Sequence, residues 1–98
     1  MDTQSAIDVL RQNEPQLRTL GVQRAALFGS TVRGEATPES DLDIMVEINP
    51  DARVGVFEYV GIVQFLTTLF PVKVDVSNRH AQDSEVRANA EREAVYAF

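Results

Sequence analysis

The sequence predicts an α+β fold, a small β-sheet with helices packed on one face, and three stretches carry that expectation. From Asp41 to Ile48, the apolar Leu42, Ile44, Val46 and Ile48 alternate with Asp41, Asp43, Met45 and Glu47, the period of a strand buried on one side. Val72, Val74 and Val76 alternate with Lys73, Asp75 and Ser77 in the same way. Between them, residues 53–70 place Val56, Val60, Val63 and Phe70 near helical spacing, with Phe57 and Leu66 beside them. A chain of 98 residues fits one domain, spanning 1–98.

The remaining elements follow in order. Residues 3–12 read as an amphipathic helix, with Thr3 or Ser5 as its cap and Ile7 and Leu10 on one face. Pro15 stops that helix and suits the first turn of a second, which carries Leu17 and Leu20 and closes at Gly21. Arg24 to Phe28 is a short, mostly apolar strand ended by Gly29, and residues 30–33 begin a brief helix. Gly34, Pro38 and Ser40 mark a loop, and Asn49, Pro50 and Asp51 a turn. Gly61 weakens the 53–70 helix by roughly 1 kcal/mol relative to alanine, too little to break it. Pro71 ends it. Asp83 or Ser84 caps a last helix whose apolar side is Val86, Ala90, Ala94 and Val95, with Tyr96 and Phe98 finishing the chain. Tyr96, Phe98 and part of the 53–70 helix are either a partner surface or ordinary core.

Composition removes several classes of function. The chain has no cysteine, which excludes disulfide and thiolate chemistry and fits a reducing compartment. Its start lacks the basic and apolar run of a signal peptide, and no apolar stretch reaches transmembrane length. A cytoplasmic protein without a membrane role is expected. The formal charge of −6 repels a phosphate backbone, so direct nucleic-acid binding is not expected.

The chemistry is concentrated in Gly29–Val46, GSTVRGEATPESDLDIMV. Period-2 geometry puts the Asp41 and Asp43 carboxylates on one face, about 7 Å apart along the strand. Hard oxygen donors on a rigid strand suit Mg²⁺, which usually takes one or two carboxylates plus substrate phosphates. An isolated Asp-x-Asp also suits a solvated strand face. Asp75 adds a third carboxylate on a second strand, again opposite an all-valine face. Three such aspartates can hold the two Mg²⁺ ions of a phosphoryl-displacement site.

Gly29 allows a tight turn with close backbone approach, and the N–H groups after it attract anions, with the Ser30 hydroxyl available to a phosphate. The same pair also reads as a plain strand-to-helix turn. It is not a P-loop, because no Gly-Lys-Ser/Thr follows. Arg33 offers a planar cation for phosphate oxygens, or an exposed partner for Glu35. Lys73 and Arg79 lie outside any motif; Lys73 also suits pairing with Asp75. His80, the only histidine, reads as a surface loop residue.

Together these residues resemble the minimal nucleotidyltransferases of the DNA polymerase β superfamily. That pattern is a Gly-Ser turn, an Arg-Gly, a Ser-Asp-x-Asp strand and a later lone aspartate. Here it reads Gly29-Ser30, Arg33-Gly34, Ser40-Asp41-x-Asp43 and Asp75, without departure at these positions. The resemblance covers most of the chain, most weakly at the terminal EREAVYAF helix. It implies a polymerase-β-like nucleotidyltransferase fold with a small mixed sheet. It further implies that Asp41 and Asp43 bind both Mg²⁺ ions and that Asp75 completes the site as candidate general base. Gly29, Ser30 and Arg33 would hold the triphosphate of ATP, and AMP would pass to a hydroxyl with release of pyrophosphate.

No acceptor domain follows the catalytic module, so the acceptor is expected from outside. Members of this size resemble the antitoxins paired with HEPN ribonuclease toxins, small helical proteins. In that family AMP is added to a tyrosine of the toxin. The resemblance therefore implies a HEPN-type toxin as partner. Transfer to a small molecule with a helical partner subunit, and a non-catalytic antitoxin acting by contact alone, are the alternatives.

Overall fold

In the computed structural model, residues 2–29, 41–78 and 94–98 are described. Two helices open the chain, α1 (Thr3–Gln12) and α2 (Glu14–Thr19). The cap of α1 is Asp2 rather than Thr3 or Ser5: its Oδ1 accepts the Ser5 backbone N–H at 2.8 Å. That hydrogen bond lowers the Asp2 pKa below the ordinary value, since it favours the ionised carboxylate. Pro15 sits in the first turn of α2, where its missing N–H costs nothing. Gly21, with φ of 103°, then reverses the chain.

Strands β1 (Val22–Phe28), β2 (Leu42–Ile48), β3 (Val74–Asn78) and β4 (Val95–Tyr96) form one mixed sheet in the order β3-β2-β1-β4. The β1–β2 and β1–β4 pairs are antiparallel, and β2–β3 is parallel. The connection between the parallel strands carries α3 (Val56–Leu69), as a crossover must. This is the α+β arrangement expected from the alternation of 41–48 and 72–77.

All three described helices pack on one face of the sheet. Ile7 and Leu10 of α1, Leu17 of α2, and Ile62 and Leu66 of α3 meet Ala25, Leu27, Leu42, Ile44 and Val46 in the main core. The opposite face is not uniformly polar. Met45, grouped with the aspartates by its alternation, is only 2% exposed, because it packs with Ala26 against Phe28, Ala94 and Tyr96.

The expected last helix needs correction at its end. Its proposed caps Asp83 and Ser84, with Val86 and Ala90, lie outside the described residues, but Val95 and Tyr96 are a strand. The edge of β1 supplies the reason. Ala26 and Leu27 pair with Tyr96 and Val95, and the Ala97 N–H donates to the Ala25 carbonyl at 2.8 Å. Three arginines hold the same segment. Arg11 Nε donates to the Ala97 carbonyl at 2.9 Å, while Arg18 and Arg24 stack over the rings of Phe98 and Tyr96. Tyr96 and Phe98 are therefore half-buried packing residues.

Leu66 is fully buried between α3 and the sheet, so Leu66→Ala is expected to cost about 2–5 kcal/mol of unfolding free energy. Urea denaturation, read as a lower midpoint with unchanged slope, checks it.

Candidate active site

The parallel register brings two of the three candidate aspartates together. Asp43 of β2 is opposite Asp75 of β3, between the pairs Leu42–Val74 and Ile44–Val76. Strand spacing places neighbouring chains about 4.8 Å apart. The flanking residues explain why both acids point away from the helices. Leu42 and Ile44 are buried in the main core, and Val74 and Val76 pack against it, so the residue between each pair projects to the other side. Asp75 is exposed, and Asp41 and Asp43 are half-buried. Asp41 immediately precedes β2, at the strand's entrance, where the Leu42 N–H donates to the Lys73 carbonyl at 2.8 Å. Asp75 makes no ion pair with Lys73 or any other described residue.

As the side chains stand, no three carboxylate or imidazole groups among the described residues converge as one metal-ligand cluster. The donor set nonetheless suits Mg²⁺, which needs only one or two protein carboxylates and takes its other ligands from water and phosphate. The pair Asp43–Asp75 meets that requirement, with Asp41 one alternation away.

Gly29 lies directly against Asp43 of this pair. Its φ of 81° lies in the left-handed region, and a Cβ there would collide with Asp43 Oδ2 and lie 3.1 Å from Asp43 Cγ. The turn glycine expected to let a ligand approach first lets the Asp43 carboxylate approach. Phe28, in register with Asp43, forms the adjoining apolar shelf with Ala26 and Met45. Of the other candidates, Ser30 and Arg33 lie outside the described residues, as do Ser40, Arg79 and His80.

Tyr59 was not among the residues singled out from the sequence. Burial, and then the charge of Asp75, raise its pKa above the usual tyrosine value. Its position was readable, since it lies three residues before buried Ile62 and seven before buried Leu66, on the inward stripe of α3. It marks the place where α3 comes alongside the acidic edge of the sheet.

Residues 6–97 match the model of the nucleotidyltransferase domain family. The chain belongs to that family. A Methanocaldococcus jannaschii protein assigned as a protein adenylyltransferase is 34% identical over 98% of this chain and 99% of its own length. The protein adenylyltransferase MntA of Thermococcus cleftensis is 30% identical over 90% of the chain and 88% of its own length. Among solved structures, a minimal nucleotidyltransferase superposes with a TM-score of 0.71 at 27% identity, covering 97% of this chain and 95% of that one. A toxin–antitoxin complex with AMP-PNP shares the fold, with a TM-score of 0.69 at 20% identity and coverage of 100% of this chain and 73% of that one. The chain is thus a nucleotidyltransferase with the mixed-sheet fold of the minimal enzymes, similar along nearly its whole length to protein adenylyltransferases.

Two predictions follow from this geometry. Gly29→Ala displaces the Asp43 carboxylate, because only the glycine leaves it room. The expected result is a drop in Mg²⁺ affinity by about tenfold or more in isothermal titration with ATP present, with the fold retained by circular dichroism. The second concerns alkaline stability. A folded-state tyrosine pKa raised above the unfolded value favours the neutral form, so its stabilisation is complete below about pH 10 and is lost as pH rises through the folded pKa. Tyr59→Phe should therefore flatten the fall of melting temperature above that pH.

Proposed function

We propose that this chain is a Mg²⁺-dependent protein adenylyltransferase of the cytoplasm, acting as an antitoxin by moving AMP from ATP to a tyrosine hydroxyl of a HEPN-type toxin. The observation that carries this reading is the Asp43–Asp75 pair, in register on adjacent strands and closed on the β1 side by Gly29. Two kinds of relative support it. Proteins similar over nearly the full chain are protein adenylyltransferases. A structure with the same fold, at a TM-score of 0.64 and 16% identity, holds a tri-AMPylated Shewanella oneidensis HEPN toxin with its antitoxin.

In this reading Asp41, Asp43 and Asp75 hold two Mg²⁺ ions, and Gly29, Ser30 and Arg33 hold the triphosphate. Metal held there would offset the charge that develops on the phosphate oxygens. Asp75, the most exposed of the three, takes the acceptor's proton. The tyrosine oxygen bonds to the α-phosphorus, the bond from that phosphorus to the oxygen bridging to the β-phosphate breaks, and pyrophosphate leaves. Asp43, hemmed in by Gly29 and flanked by buried Leu42 and Ile44, keeps its oxygens fixed while this charge moves.

Incubation with a HEPN-type toxin of the same genome, ATP and Mg²⁺ should add AMP to the toxin in intact-mass spectrometry. Asp43→Asn should reduce transfer by about a hundredfold or more. Unmodified toxin after incubation with the wild-type chain would refute the reading. A toxin still silenced by the Asp43→Asn chain would assign neutralisation to contact alone.

A further inference from the structure

Helix α3 is apolar on both sides. Ile62 and Leu66 are buried against the sheet, yet Phe57 is 89% exposed and Val56 78%, with Val60 at 45%. A helix apolar all round has two faces to bury, and the sheet covers only one. Gly61 sits among these exposed residues. A Cβ added there would meet nothing within 4 Å, so no packing among the described residues requires a glycine. Glycine nevertheless weakens a helix interior relative to alanine. An exposed apolar ridge beside a notch without a side chain suits the ridge-into-groove contact of a second helix.

Two observations identify what docks there. The chain carries a formal charge of −6, and Glu58 is the only charged residue in α3. Bringing two copies together on this face would set like charge against like, whereas a helix with a basic residue opposite Glu58 gains from the same field. The second observation is location. The α3 helix packs over β3, the strand of Asp75: Ile62 and Leu66 lie in the core against which Val74 and Val76 pack. A protein held on this ridge lies at the acidic edge of the sheet, where an acceptor has to come.

We infer that Val56, Phe57, Val60 and Gly61 form the docking surface for a basic-flanked helix of the acceptor protein, whose apolar side chain seats in the Gly61 notch. The inference rests on the reading above that the acceptor is a HEPN-type toxin. It assigns the affinity for that protein to residues other than the aspartates, so binding and chemistry separate.

The test uses the full chain and the HEPN-type toxin of the same genome, with binding measured by titration calorimetry and AMP transfer by intact mass. Phe57→Glu and Gly61→Leu should each weaken binding by about tenfold or more. Transfer should fall at low toxin concentration and recover at saturation, raising KM while keeping kcat. Gly61→Leu should meanwhile keep or raise the melting temperature, because leucine is the better helix former and its Cβ meets no described neighbour. A merely structural glycine would show the opposite.

Wild-type affinity in both variants overturns the docking surface and leaves the catalytic reading standing. A self-dimer that Phe57→Glu dissolves gives the face to a second copy and overturns it too. Phe57-dependent binding without an AMP adduct upholds the surface and sinks the catalytic reading. No complex with the wild-type chain sinks both.

Discussion

The parallel pairing of β2 with β3 is the constraint on which the site depends. Leu42 and Ile44 on one strand, and Val74 and Val76 on the other, pack into or against the helical core. With those four inward, Asp43 and Asp75 have no choice but to stand side by side on the opposite face. A slip of one residue would turn the apolar set outward and an acid inward, which the hydrophobic core forbids far more strongly than the repulsion of two carboxylates opposes the native register. The acid pair is therefore held by packing behind it rather than by any attraction between its members.

The central strand β1 organises the other half. It pairs with β2 on one side and β4 on the other, and its end is the Gly29 turn against Asp43. Along the same edge, the guanidinium groups of Arg11, Arg18 and Arg24 reach β4 and the residues after it by one hydrogen bond and two ring contacts. Three of the nine basic residues of an acidic chain are thus engaged at this edge of the sheet.

Much of this was legible in the linear sequence, and the failures have physical causes. Strict alternation identified β2 and β3, and with them the side on which Asp43 and Asp75 stand, because burial on one face writes a period of two into the chain. The helical pattern of α3 was equally plain. What alternation could not convey was that the outer face is itself part covered: Met45 follows the aspartates in phase yet is buried, since Ala26, Phe28 and Tyr96 arrive from strands remote in sequence. The end of the chain was misjudged for the same reason. Ala94 and Val95 fit a helical stripe locally, but the open edge of β1 offers backbone partners that no local pattern records. At the first helix, Thr3, Ser5 and Asp2 are all competent caps, and only the backbone path selects Asp2. Nor does a Gly-Ser pair disclose that its glycine is packed against an aspartate on the next strand. Tyr59 was missed although its spacing from Ile62 was visible, because its relation to Asp75 exists only once α3 crosses the sheet.

That crossing has a kinetic meaning as well as a geometric one. Parallel strands cannot meet through a hairpin, so the whole stretch from Asn49 to Lys73, α3 included, must close before Asp43 and Asp75 become neighbours. Pairings of such sequence separation form slowly and together with the global fold. The acid pair therefore does not exist until that loop has closed. Any ligand that bridges the two aspartates ties the ends of that loop together, and by mass action it draws the chain toward the folded state.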